Sequence, residues 1–347
     1  MARSGSGTQS QPYIVHNWDE LVQSIGESGA YVEFPLDAVR TTDTVVQRGK
    51  LYYKLVGANY VEVTNPKQSE LSTYYENSFE IDLNDEYPEG VPDVIYSGTH
   101  EALSVQGYLD GKGGTIRNLY SQGTVSGHAL FYFGGDGSIS NTDILNIYFV
   151  GRDTGCAIFN NTSTATGNSL MRRCRMSGVL YNADFYRKDG TWDIKIERCT
   201  FAMYGSIHQH TLFDSDGRSM ADFAFKNTVF DFTCPQIYAI SRGVESGSGL
   251  TISASNCLFI GSYGFEYSWD TFNYIDACVF DFTSSETRTL QFNNINVPCL
   301  VNTTKVPNYS YTDGLQIPPN LIRATTQQQM QDASWLLSQG FPVGRLT

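Results

Sequence analysis

The sequence contains no run of 18 apolar residues, so nothing in it reads as a membrane-spanning helix. It is short of basic charge: 23 Lys and Arg stand against 36 Asp and Glu, a net charge of −13. That balance excludes nucleic acid or an anionic membrane surface as the main partner. None of its seven cysteines forms a Cys-x-x-Cys pair, which removes the usual spacing of a structural zinc site. The opening Met1-Ala-Arg-Ser-Gly-Ser-Gly7 has no apolar segment, so no secretory signal is expected. What is abundant is aromatic and turn-forming: 22 Tyr, 20 Phe and 32 Gly suit many short strands joined by tight corners.

One stretch returns seven times. It reads Ile116-Arg-Asn-Leu119-Tyr-Ser121, Ile144-Leu-Asn-Ile147-Tyr-Phe149, Met171-Arg-Arg-Cys174-Arg-Met176 and Ile196-Glu-Arg-Cys199-Thr-Phe201. Phe225-Lys-Asn-Thr228-Val-Phe230, Ala254-Ser-Asn-Cys257-Leu-Phe259 and Ile275-Asp-Ala-Cys278-Val-Phe280 complete it. The central positions 119, 147, 174, 199, 228, 257 and 278 lie 28, 27, 25, 29, 29 and 21 residues apart, the period of a stacked array. Counting the central position as zero, 0 and +2 are mostly apolar, which is strand alternation. Position −3 is apolar too, at an odd distance, so the chain must bend between −3 and 0. Asn, which tolerates the left-handed conformation, stands at −1 in four units. Gly123, Gly151, Gly178 and Gly261 at +4 predict the next corner. The expected fold is all-β: a single-stranded right-handed parallel β-helix (solenoid) with a short N-terminal capping helix and a C-terminal helix.

The Ile-x-Asn-Cys-x-Phe-x-Gly coil resembles the right-handed parallel β-helix superfamily that includes pectate lyases and phage tailspikes. The lead-in Gly107-Tyr-Leu-Asp-Gly111-Lys-Gly113-Gly114-Thr-Ile116 is similar to the opening coil of many bacterial and phage members. The ending Asp332-Ala-Ser-Trp335-Leu-Leu-Ser-Gln-Gly340-Phe-Pro-Val-Gly344 resembles endings of phage and prophage β-helix proteins. The resemblance implies a bacteriophage virion protein: a tail fibre, tailspike or capsid decoration, made in the host cytoplasm and carried in the virion. Its implied partners are other virion proteins, two further copies in a homotrimer, and a host-surface glycan. It implies no cofactor. A polysaccharide depolymerase and a bacterial surface adhesin are the alternatives.

Five segments are expected. Residues 1–15 read as a flexible arm and 16–36 as a cap, a helix near 17–27 with Asn17 and Glu20 as a capping box, then a strand. Residues 37–78 hold an inserted β-hairpin around Gly57-Ala-Asn59. The β-helix runs over 79–297, and 298–347 is an extended tail with a helix near 327–338, capped by Thr326 and stopped by Gly340. Cys174, Cys199, Cys257 and Cys278 are expected as buried thiols in one inward column.

Candidate site residues are few. Asp214 and Asp216 could form a carboxylate pair for glycoside hydrolysis, with Glu266 and Asp270 on a later coil, although Asp-Ser-Asp-Gly-Arg is ordinary turn chemistry. His208 and His210 alternate on one strand face and make half a metal site, with Asp214 nearby. Asn141-Thr142-Asp143 matches the first polygalacturonase motif, but the other motifs of that family are missing. Tyr132, Tyr148, Tyr181, Tyr186, Tyr204, Tyr263, Tyr267 and Trp269 could line a sugar-stacking flank. Asn160-Asn161-Thr162 and Asn302-Thr303-Thr304 match glycosylation sequons.

Overall fold

The computed structural model describes residues 3–47, 49–86, 101–123, 129–151, 156–161, 167–188, 194–207, 211–214, 222–237, 239–242, 251–263, 271–282, 289–292, 295–302, 308–311 and 322–340. The chain is a parallel β-helix. One face stacks Tyr31–Glu33, Tyr108–Asp110, Ser138–Ser140, Leu170–Arg172, Lys195–Glu197, Asp222–Lys226, Thr251–Ser255 and Thr271–Asp276. A second stacks Glu80–Asp82, Thr115–Arg117, Asp143–Gly151, Arg175–Lys188, Thr200–Ile207, Val229–Ile237, Leu258–Tyr263 and Val279–Phe282. A third runs through Glu101–Val105, Ala129–Phe133, Ala157–Asn161, the end of Arg175–Lys188, Thr211–Asp214 and Ala239–Arg242. Every neighbour in these stacks is parallel, as coil-on-coil winding requires.

The corner between the first two faces explains the repeat. Five of the seven residues at −1 stand at this corner, all with positive φ: Arg173, Arg198, Asn227, Asn256 and Ala277, between 49° and 56°. Three of them are not asparagine, so the corner imposes the conformation and Asn merely adopts it cheaply. The turn lets −3 and 0 both point inward: Met171 and Cys174, Ile196 and Cys199, and Phe225 and Thr228 are all buried. The central side chain has a second task. Cys199 Sγ donates to the Glu197 carbonyl at 3.3 Å, and Thr228 Oγ1 donates to the Lys226 carbonyl at 3.0 Å. Cys174 and Cys257 do the same with the carbonyls of Arg172 and Ser255, both at 3.3 Å. At +2, Phe201, Phe230, Phe259 and Phe280 stack in one ladder, with centroids 5.5, 5.1 and 5.2 Å apart. Each buried ring contributes about 1.5–3 kcal/mol of apolar burial.

Two of the seven stretches are out of phase with the rest. Asp143 pairs with Arg175 and Ile144 with Met176, then the register slips and Ile147 faces Gly178. The equivalent of Cys174 in the preceding coil is therefore Thr142, whose hydroxyl donates to the Ser140 carbonyl at 2.9 Å beside the left-handed Asn141. Asn118 and Asn146 make a second left-handed bend further along their coils. Asn118 Nδ2 donates to Asp82 Oδ1 at 2.7 Å, and Asn146 Nδ2 donates to Asn118 Oδ1. Nor does Gly261 form a corner: it lies within the strand Leu258–Tyr263, while Gly123 and Gly151 face each other as the last residues of their strands. Gly178, with φ 155°, sits beside the slip, where an added Cβ would meet the Ile147 carbonyl oxygen at 2.1 Å.

The ends also differ from expectation. Residues 3–14 do not stand off as a free arm. Ser4 bridges Ile14, Tyr13–Ile14 pairs with Val32–Glu33, and Gly5 and Gly7 (φ 94° and 73°) supply the reversals. Arg3 ties this segment to the cap through Glu27 at 2.7 Å and Ser24 at 3.0 Å. The capping helix is Trp18–Ile25. Asn17 Oδ1 accepts from the Glu20 N–H at 2.9 Å, but the Glu20 carboxylate accepts from His16 N–H, one residue before the cap. Trp18, Leu21 and Ile25 are buried in the same core that fills the solenoid. At the other end the ladder continues past residue 297: Cys299–Asn302 stacks on Val279–Phe282, and Ile322–Thr325 on Cys299–Asn302. The terminal helix is split at Asp332, whose carboxylate accepts from the N–H groups of Ser334 and Trp335 at 2.9 Å and so caps a second helix, Ala333–Ser338.

The insertion is a four-stranded antiparallel sheet in the order Ala38–Arg40, Tyr75–Asn77, Tyr53–Val56, Asn59–Glu62. It is strapped over the corner of its own solenoid. Tyr53 Oη donates to the Lys112 carbonyl at 2.9 Å, Arg173 is paired with Glu62, and a Cβ on Gly49 would lie 3.3 Å from the Arg198 carbonyl oxygen.

Candidate functional site

Of the predicted catalytic and metal-site residues, Asp214 alone lies among the described residues. Asp214 ends the strand Thr211–Asp214, in register with Arg187 on one side and Arg242 on the other. Asp216, Glu266, Asp270, His208 and His210 lie outside the described residues. Among the described residues no three His, Cys, Asp or Glu side chains converge on one point. Asn141, Thr142 and Asp143 are corner residues: Asn141 Nδ2 donates to Asp110 Oδ1 at 2.8 Å, and Asp143 holds Arg175. Asn160 and Asn161 are fully buried in a strand, so the first sequon is no glycan acceptor.

Of the proposed aromatic flank, Tyr186 is a packing residue, fully buried, its hydroxyl accepting from Ile194 N–H at 3.0 Å. Tyr148 is exposed and stacks on Tyr120, which sequence reading passed over, with centroids 5.4 Å apart and planes 8° from parallel. Each of the two follows its coil's second left-handed Asn by two residues, and that spacing was the available signal. The side chains of Tyr181, Tyr204 and Tyr263 are not among those described, and Tyr267 and Trp269 lie outside the described residues.

Among the described residues, a cavity lies on the outer side of the first face. It measures about 290 Å³ and spans the strands Lys195–Glu197, Asp222–Lys226 and Thr251–Ser255. Its origin is local. Ile196, Phe225 and Ala254 are register partners pointing inward, so their neighbours point out. Outward Ala224 and Ser253 are small, and they leave a dent between larger groups. Lys195, Glu197 and Lys226 line it with Ser255. Glu197 is engaged by Arg172 at 3.3 Å, on the preceding rung. The dent therefore offers two ammonium groups and two hydroxyls over an apolar floor, a surface that can hold a flat polar ligand by hydrogen bonds. It was not found from the sequence because small outward residues on successive rungs become neighbours only once the register is known.

The remaining charges near the corner serve packing. Arg175 Nε donates to Asp143 Oδ1 at 2.8 Å, and although burial opposes its charge, these bonds push the guanidinium pKa up. Lys112 sits 3.2 Å from both Glu33 and Asp110; burial acts against its charge, but the two carboxylates raise its pKa overall. Burial pushes the Cys174 and Cys278 thiols well above the ordinary range, so neither is a nucleophile at neutral pH.

No family model matches the chain, and no curated protein or solved structure matches it.

Proposed function

We propose that this protein is a structural component of a bacteriophage virion, a fibre, spike or surface decoration, whose lateral face meets a glycan of the host surface. The observation that carries the reading is one core cluster running from Val15 to Val301 through successive coils. A rod packed in that way is a stiff spacer that can project from a particle. The likeness of the Ile-x-Asn-Cys-x-Phe coil to tailspike coils supports the phage setting. The dent at Lys195, Ala224, Lys226 and Ser253, and the Tyr120–Tyr148 stack, supply hydrogen-bonding and aromatic groups of the kind that hold sugars. Closed cyclic assembly as a homotrimer suits a projecting spike.

The test is direct. Mass spectrometry of purified virions should find the chain, and gold-labelled antibody should place it at a fixed position on the particle. Its absence from purified particles would sink the proposal. Purified protein should leave capsular and wall glycans uncut. Cleavage abolished by Asp214→Asn with Asp216→Asn would instead establish a depolymerase.

A further inference from the structure

The described residues expose ten large apolar side chains, and five of these, Val39, Leu55, Val56, Tyr60 and Val61, lie on strands of the strap sheet. Clamping the solenoid does not require them, because the clamp uses the other groups: Tyr53, Leu51 and Tyr52 are buried. Single exposed apolar residues need no explanation, but a cluster on one small sheet does.

Among the described residues nothing pairs with the outer side of the sheet's two edge strands, Ala38–Arg40 and Asn59–Glu62. The second contains no Lys or Pro, and its one charged residue, Glu62, is held by Arg173 of the solenoid. It exposes Tyr60 (38%) and Val61 (49%), while the first exposes Val39 (42%). Four strands, each antiparallel to the next, leave the two edges running in opposite directions. The first edge of one molecule can therefore continue the sheet at the second edge of another, antiparallel and with the two side-chain faces preserved. One register makes the chemistry match. Setting Arg40 of the partner subunit opposite Tyr60 sets Val39 of the partner subunit opposite Val61. The first of these repeats a contact already present within the chain, where Arg40 is the register partner of Tyr75 and its guanidinium lies 4.2 Å from that ring's centroid. The register two residues further on would set Arg40 against Glu62, but Glu62 is held by Arg173.

We propose that the strap is the self-association surface of this protein. Copies join head to tail, Ala38–Arg40 of one pairing with Asn59–Glu62 of the next, and the sheet is extended across the contact. The occupant is a second copy because both complementary edges belong to the same molecule. A contact of this type uses two different patches, so it closes into a ring or grows. It does not depend on the virion reading, since it concerns the purified chain alone.

Sedimentation velocity on the purified protein tests it. Wild type should sediment as an oligomer. Val39→Lys and Val61→Lys, both at exposed edge positions, should each sediment as a monomer. Mixed together they should form a dimer and nothing larger, because each retains one open edge. Val56→Lys, at a more exposed position but on an inner strand, should keep the wild-type mass. A monomeric wild type would overturn the proposal. So would an oligomer that survives Val39→Lys and fails only with Val61→Lys, which would mean that like edges pair, or one lost with Val56→Lys as well.

Discussion

Asp143 and Arg175 face each other across adjacent rungs, register partners joined by two side-chain hydrogen bonds, one of them 2.8 Å from Nε to Oδ1. They belong to an outward column that starts at Glu80 and Thr115 and continues past them through Thr200, Val229, Leu258, Val279 and Leu300. The column changes from charged to apolar along the rod, and its cover changes with it. The strap lies over the charged end, where a Cβ on Gly49 would sit 3.7 Å from both Arg175 Cγ and Thr200 Oγ1. The C-terminal helices cover the apolar end, with Met330 and Leu336 buried against Val229, Leu258, Val279 and Leu300.

The ion pair gives the first prediction. Arg175→Ala should destabilise by about 3 kcal/mol, the low end for breaking a buried pair, because Arg175 still reaches water. Replacing both partners, Asp143→Leu with Arg175→Met, should cost far less. Urea unfolding of the three proteins checks this. Equal losses for the single and double variants would mean that the pair is not what stabilises the corner.

The corner conformation gives the second. Ala277 has φ 49°, where Asn227 and Asn256 have 52° and 51°. Alanine in that region is strained, and asparagine is less so. Ala277→Asn should stabilise by about 1 kcal/mol, and Asn227→Ala should destabilise by a similar amount. Opposite shifts of the urea midpoint are expected. If both variants move it the same way, backbone strain is not what sets the residue at this corner.

The column of central residues gives the third. Cys199 and Thr228 donate to the carbonyl two residues back by the same geometry. Cys199→Thr should therefore be tolerated better than Cys257→Asp, which buries an unpaired charge and should cost several kcal/mol, at about 2–5. Cys156, Cys174, Cys199, Cys257, Cys278 and Cys299 are all buried thiols. None should react with a thiol reagent in native protein, and all should react in denaturant. Disulfides among them in a non-reducing mass measurement would contradict the column.

The repeat was legible because the corner demands it: an inward −3, a left-handed −1 and an inward 0 leave a mark in the coils centred on Cys174, Cys199, Thr228, Cys257 and Cys278. What the repeat concealed was phase. The spacing of 27 between Ile147 and Cys174 looks regular, yet the true step is from Thr142 to Cys174, 32 residues. Asn118 and Asn146 produce the same local pattern at a different bend, so sequence periodicity could not separate the two. Cys299 escaped notice because Pro298 replaces the usual −1 residue and interrupts the pattern, although Leu300 N–H still bonds the Cys278 carbonyl at 2.9 Å. The glycines of 2–12 suggested looseness, but two of them are reversals. The dent at Ala224 and the open strap edges depend on strand register and exposure, which no local motif records.

The last prediction concerns the strap's attachment and its response to acid. Lys50 Nζ lies 2.7 Å from Asp43 Oδ2 and is also paired with Glu76; Tyr52 Oη donates to the same Asp43 oxygen at 2.6 Å. Burial works to raise the Asp43 pKa, but the bonds from Lys50 and Tyr52 outweigh it and hold the carboxyl below its ordinary value of 3.8. A carboxyl depressed in the fold contributes stability above its unfolded pKa, and that contribution is lost as pH falls through the folded value. The strap should therefore stay seated at neutral pH and loosen below about pH 4, before the solenoid core opens. Tyr52 remains a donor throughout, since burial and the Asp43 charge push its hydroxyl far up. Hydrogen exchange at low pH should show the amides of 50–63 losing protection while those of 200–203 and 229–232 keep theirs. Asp43→Asn should loosen the strap at neutral pH and remove most of the acid response. Protection over 50–63 that is unchanged by acid, or an acid response that survives Asp43→Asn in full, would show that this cluster does not govern the attachment.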